Sequence, residues 1–286
     1  MAMFDLAEPK TLGEAFDLLD QGDSAIRPIG GGTALMLMIK AQVFRPIRLV
    51  SLRHLGEPFA GYSLSDDGAS LRIGAMTTFA ELEHSAVVRS HLPVVVQTMQ
   101  TLANVRVRNV ATVGGNLAHG DPHLDLPPVW MALAAEALII SKDGERVVPV
   151  EDIFVGYYET TIADGELIAE LRVPIRPTWR STYVKVTTRA IHDWPALGIA
   201  VSAEFDGGRV ADLRIVLSAA LDKPTRLVAA EAALRGQIPD AAALARAGEA
   251  AVAEIDMASD SRGSAPYKNH LLRVHLARAV QSIAGA

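Results

Sequence analysis

The chain has 286 residues, half of them hydrophobic, and a formal charge of −6, which excludes a disordered polymer and a general nucleic-acid binder. It contains no cysteine, which excludes a disulfide framework, a thiol nucleophile and any thiolate-held zinc or iron–sulfur centre on this chain. No apolar run reaches the roughly 18 residues of a membrane span, and "MAMFDLAEPK" lacks the blocks of a signal peptide, so no membrane span and a cytoplasmic location are expected.

In chain order, a strand-like "MFDLAEPK" leads into a helix from Thr11. Thr11 and Glu14 have the spacing of a capping box ahead of Ala15, Phe16, Leu18 and Leu19. "AIRPIGGGTAL" reads as a short strand, a glycine turn and a short helix or extended run through "MLMIK"; "RLVSLR" reads as a strand. These form a first α/β lobe, residues 1–55.

"GYSLSDDGASLRIGAMT" is a hairpin turning at "DDG", and "TTFAELEHSAVV" and "LPVVVQTMQTLA" have helical period. A polar loop, "VRNVATVGGNLAHGDPHLDLPP" at 107–128, precedes a helix around "LPPVWMALAAE", with Pro127 or Pro128 in its first turn. A hairpin at "KDG" and a strand, "GELIAELRVPI", bounded by Pro174, complete a second lobe, 56–176. "PIRPTW" is the linker. "STYVKVTTR" and two strands around "DGG" then precede Ala-rich helices, which predicts an α+β domain over 177–286.

The two glycine clusters carry the chemistry. Gly30, Gly31 and Gly32 let backbone approach a ligand, their successive N–H groups can form an anion nest, and Thr33 adds a hydroxyl. The pattern is neither G-x-G-x-x-G, since Leu35 stands at the third glycine, nor a P-loop. Thr112, Gly114, Gly115 and Asn116 offer similar groups, and two such loops suit a diphosphate better than a single phosphate. His119, Asp121, His123 and Asp125 alternate, but Gly120 and Pro122 prevent a helix from aligning the histidines, and no metal is expected. Asp125 can cap the helix that follows it or accept hydrogen bonds from a ligand. Alternation puts Tyr183, Lys185 and Thr187 on one strand face, where Lys185 is either solvated or a partner for a diphosphate or a reduced flavin. "DWP" within "AIHDWPALG" reads as a packed turn with Trp194 as a buried anchor.

Taken together, "GGGTALMLMIK", "RNVATVGGNLAHGDPHLDLPP", "GYYETTIADGELIAELRVP", "YVKVTTRAIHDWPALGIAV" and "GSAPYKNHLLRVHLARAV" resemble the FAD-binding medium subunit of molybdenum hydroxylases, the xanthine dehydrogenase and aerobic carbon monoxide dehydrogenase type. Nearly the whole chain is covered, in the family's order. The resemblance implies an α+β protein: a two-lobed FAD-binding domain (FAD-binding type 2-like) followed by an α+β C-terminal flavoprotein domain. It implies that Gly30, Gly31, Gly32, Thr33 and Ala34, with Thr112, Gly114, Gly115 and Asn116, cradle the FAD diphosphate through backbone amides. Asp125 and Lys185 match positions at the flavin end. Position 33, often His in the carbon monoxide dehydrogenase branch, is Thr here.

The implied partners are a [2Fe–2S] small subunit and a molybdopterin large subunit, in an (αβγ)2 heterohexamer. Electrons would pass from the clusters to FAD and on to NAD or another acceptor. Two other readings use the same residues: a stand-alone flavin oxidase or reductase, with His119, His123, His192 or Tyr183 as its acid or base, and an assembly subunit without flavin.

Overall fold

A computed structural model describes residues 4–19 and 22–285; Met3 of the expected first strand lies outside them. The first lobe holds β1 (Asp5–Ala7), α1 (Leu12–Leu19), β2 (Ile26–Ile29), α2 (Leu35–Lys40) and β3 (Arg48–Ser51). Its parallel sheet has the order β1-β3-β2. Thr11 Oγ1 accepts from the Glu14 amide at the start of α1, and the Glu14 carboxylate reaches back one residue further, to the Lys10 amide.

Residues 56–176 follow the sequence reading of strands and hairpins, with one added hairpin and two changes among the helices. The strands are β4 (Tyr62–Leu64), β5 (Ser70–Gly74), β6 (Glu136–Ser141), β7 (Gly144–Pro149), β8 (Phe154–Gly156), β9 (Glu159–Thr160) and β10 (Leu167–Pro174). An antiparallel sheet of order β4-β5-β10-β6-β7 forms the floor, and β8 and β9 make a separate two-stranded hairpin. Helices α3 (Phe79–His84), α4 (Ala86–His91) and α5 (Pro93–Met99) follow β5 and pack on one another. The first change is the break at Ser85, whose hydroxyl caps α4 by accepting from the Val88 amide. The second is larger: the expected loop at 107–128 contains helical turns. Helix α6 (Val105–Arg108) overlaps its start, α7 (Val113–His119) contains both glycines, and α8 (Leu126–Ala132) overlaps its end.

The last part contains β11 (Trp179–Val186), β12 (Leu197–Asp206), β13 (Arg209–Ser218), β14 (Thr225–Arg226), α9 (Val228–Leu234), α10 (Ala241–Ala253) and α11 (Ala265–Ala284). The four strands form an antiparallel sheet in chain order. Period-2 alternation gives this sheet two buried faces. Ile199, Val201 and Ala203 join a core with Leu244, Leu272 and Leu276 of the helices, while Ala200 and Val216 join the core of the preceding lobes. Side chains tie the same seam: Arg214 donates to the Met131 carbonyl and pairs with Glu151, and Lys223 donates to the Phe154 carbonyl. The chain is therefore mixed α and β, as its sequence implied. No described helix is long and apolar enough to cross a membrane.

Candidate cofactor-binding site

The two glycine clusters, about 80 residues apart in sequence, touch in the fold. A Cβ on Gly31 would fall onto the Val110 carbonyl oxygen, and one on Gly30 would lie 2.7 Å from Thr112 Oγ1. Only glycine lets these two segments approach so closely. Gly32 has φ +70°, the left-handed region, and turns the chain from β2 into α2.

Their hydrogen-bonding states are opposite. Among the described residues, no amide N–H from Gly30 to Leu35 donates to a protein acceptor, and the Thr33 hydroxyl makes no hydrogen bond. At the second cluster the amides are already engaged. The N–H of Val113 donates to Thr77 O (3.1 Å), that of Gly114 to Ala75 O (2.8 Å), that of Gly115 to Thr112 Oγ1 (3.3 Å) and that of Asn116 to Thr112 O (2.9 Å). Thr112 is thus the N-cap of α7, and Gly114 is required because a Cβ there would sit 2.5 Å from Ala75 Cβ. One acceptor remains: Asn116 Oδ1 is buried without a hydrogen-bond partner among the described residues. Unpaired buried polar atoms are costly, so this oxygen calls for a donor from outside the chain.

These features fit a dinucleotide diphosphate and its polyol. The open amides and the Thr33 hydroxyl present donors to anionic oxygens, the missing side chains leave room for close approach, and Asn116 Oδ1 accepts from a ligand hydroxyl or amide.

Asp125 does not cap α8. Its backbone is helical and its side chain makes no cap hydrogen bond. The carboxylate instead accepts from Tyr183 Oη (2.7 Å) and from Lys185 Nζ (2.8 Å), and Lys185 also donates to the Thr101 carbonyl (3.0 Å). Both members of the Asp125–Lys185 pair are buried, so Lys185 is neither solvated nor a free cation. Burial pushes the Asp125 carboxyl above its usual range, against the pull of the Lys185 ammonium and the two donated hydrogen bonds. Burial and the neighbouring Asp125 charge raise the Tyr183 phenol well above 10, keeping it a neutral donor. Tyr183 and Lys185 face the preceding lobes while Val184 and Val186 pack on the C-terminal core, the alternation the sequence predicts.

At the far end of α7 the histidines separate. His119 packs edge-on against Tyr158, with centroids 5.1 Å apart, and burial lowers its pKa. His123 Nδ1 and its own amide both bond to Asp121 Oδ1 at 2.9 Å. Burial alone pushes Asp121 up, but these bonds outweigh it and hold the carboxyl below its ordinary value. No group of three or more His, Cys, Asp or Glu comes together as a metal site among the described residues. Trp194 is not a buried anchor: it is 49% exposed, stacks on His123 at 5.9 Å and lies under the Arg262 guanidinium at 5.5 Å. Sequence reasoning missed Arg262 and Tyr158 in this cluster, because neither carries a local signal and Arg262 lies 139 residues from His123.

Comparison with known proteins gives a consistent answer along the whole chain. Residues 2–176 match the family of the FAD binding domain in molybdopterin dehydrogenase, and residues 182–283 match the CO dehydrogenase flavoprotein C-terminal domain. The chain is 33% identical over 278 residues to the carbon monoxide dehydrogenase medium chain of Afipia carboxidovorans, covering 97% of this chain and 96% of that one. It is 27% identical to the xanthine dehydrogenase FAD-binding subunit of Escherichia coli O157:H7, covering 99% and 98%. The fold superposes on reconstituted CO dehydrogenase from Oligotropha carboxidovorans with a TM-score of 0.94 at 33% identity, covering 99% and 98% of the two chains. It superposes on quinoline 2-oxidoreductase from Pseudomonas putida 86 with a TM-score of 0.92 at 28% identity, covering 99% and 97%.

Proposed function

The chain belongs to the FAD-binding medium subunits of the molybdenum hydroxylases, and from that premise we propose that it is the electron outlet of its complex. It receives electrons from the [2Fe–2S] clusters of a small subunit, reduced in turn by a molybdopterin large subunit, and hands them to NAD or another acceptor. The full assembly is an (αβγ)2 heterohexamer. FAD supplies the electron chemistry when bound, accepting single electrons and releasing pairs.

The observation that carries this reading is the row of open amides from Gly30 to Leu35, seated against the capped start of α7 in a chain that matches the family from end to end. Gly30, Gly31, Gly32, Thr33 and Ala34 hold the diphosphate through their N–H groups and the Thr33 hydroxyl. Thr112, Gly114 and Gly115 act through shape, because their segment's amides are already engaged, and Asn116 accepts through Oδ1. Asp125, Lys185 and Tyr183 fix the wall between the second lobe and β11. In this reading residues 1–55 and 56–176 are the two lobes around FAD, and residues 177–286 form the C-terminal domain.

The test is a visible absorption spectrum of the purified chain, alone and co-expressed with its partner subunits, with the released cofactor identified by mass. Released FAD, with iron–sulfur absorbance only in the complex, is the expected result. No flavin in either preparation after reconstitution would overturn the reading and leave a structural subunit. Substrate-dependent turnover by the isolated chain would favour a stand-alone flavoenzyme.

A further inference from the structure

One surface of the first lobe is built against the grain of the rest of the chain. From Ser24 to Gly56 there is no Asp or Glu, while five cations fall in this stretch of a chain whose formal charge is −6; Arg27, Arg48 and Arg53 pair with Asp164, Asp5 and Glu8 from outside it, which leaves Lys40 and Arg45. Helix α2 is apolar at five of its six positions, yet none is fully buried: Leu35, Met36, Met38 and Ile39 are half-buried and Leu37 is exposed. Leu37 on this helix is 62% exposed, and Val43 and Ile47 just beyond it are 73% and 54% exposed. The backbone folds the following loop onto the helix end, with the amides of Val43 and Phe44 both donating to the Met38 carbonyl. Lys40 and Arg45, exposed on the same segment, have no carboxylate partner among the described residues.

A short apolar helix with no core of its own gains nothing from facing water, and clustered exposed apolar groups mark interaction sites. The unpaired cations specify what covers it: a surface with apolar contacts and an excess of carboxylates or other negative charge. We infer that the face formed by α2 and the loop through Ile47 docks an acidic surface of the iron–sulfur subunit. This rests on the reading that the chain receives electrons from such a subunit. Two observations favour that partner. A thiolate-ligated iron–sulfur cluster is itself anionic, so the domain holding it suits a basic face. The segment also continues directly from the Gly30–Ala34 turn, so a subunit seated there lies beside the proposed cofactor cradle.

The experiment co-expresses the chain with the other subunits of its complex and compares wild type with two variants, Lys40→Glu/Arg45→Glu and Leu37→Asp/Val43→Asp. Read out are the FAD content per chain and the association of the iron–sulfur subunit at low and high salt. The expected result is normal FAD content with the iron–sulfur subunit bound about tenfold more weakly in each variant, and wild-type association that weakens with salt. Unchanged association in either variant overturns the inference, as does selective loss of the molybdopterin subunit. Loss of FAD from the variants also overturns it, since α2 would then be covered by cofactor. Absence of flavin from the wild-type complex would instead sink the functional reading itself, which keeps the two failures apart.

Discussion

The loops at 30–35 and 112–116 have similar compositions, two or three glycines beside a threonine, and opposite jobs. In the first, the chain leaves β2 through a left-handed Gly32, and no amide from Gly30 to Leu35 has an acceptor among the described residues. In the second, the glycines lie inside the first turn of a helix whose amides are taken by Thr77, Ala75 and Thr112. The difference teaches that a glycine cluster signals close approach, and that what approaches must be read from where the amides go. Loop 30–35 is open to a ligand; loop 112–116 is closed onto the protein and supports the first.

The largest test of that division is Gly31→Ala, because the contact it breaks is the one between the loops. The added methyl meets the Val110 carbonyl, a backbone atom that cannot swing aside. Overpacking of this kind should cost about 3 kcal/mol or more, lowering the melting temperature and abolishing FAD retention together.

Next is Asp121→Asn, at the far end of α7. Asp121 has a folded value below its ordinary 3.8, so the stability it contributes is present above that value and lost as pH falls through the folded one. The variant should lose about 2 kcal/mol at neutral pH, the scale of hydrogen bonds to a charged group, and show a flatter acid-unfolding curve. Asp125, raised by burial, has the opposite sign, so its own titration works against that acid loss. An unaltered acid limb in Asp121→Asn would show that the pair with His123 is not formed.

Asn116→Ala separates cofactor from fold. Its Oδ1 has no partner in the chain alone, so removing it should leave the FAD-free protein as stable or more so, while weakening FAD by about 1–2 kcal/mol in a titration followed by flavin fluorescence. Equal losses in both states would place that oxygen in the fold instead. Thr112→Ala should do the reverse. Losing the α7 cap should cost about 1 kcal/mol of stability by denaturant melt, with Thr112→Ser restoring it and FAD affinity following only as far as the helix frays. Thr33→Val is the smallest: about 0.5–1 kcal/mol of FAD affinity and no change in melting, since the hydroxyl makes no hydrogen bond among the described residues.

Much of the fold was legible in the sequence because local signals and tertiary context agree. The "DDG", "KDG" and "DGG" turns close hairpins at β4–β5, β6–β7 and β12–β13, and "STYVKVTTR" alternates between two cores as its period requires. Helix α7 was not legible. Two consecutive glycines cost roughly 2 kcal/mol of helix propensity, and the turn survives because Thr77 and Ala75, distant in sequence, accept its first amides. The glycine positions of the candidate site could be read from sequence, but which loop keeps its amides free could not. Nor could the Asp125–Lys185 pair, whose members lie 60 residues apart and have no local reason to meet. Trp194, an aromatic beside a proline, reads as packing in the sequence, whereas in the fold it leans outward on His123 and Arg262.

The sheet of β11 to β14 contributes Ala200 and Val216 to one core and Ile199 and Val201 to the other. A wall shared in this way couples the melting of the two cores. Peeling the C-terminal helices away exposes one face of β12 and strips support from the other, so a single calorimetric transition is the expected outcome.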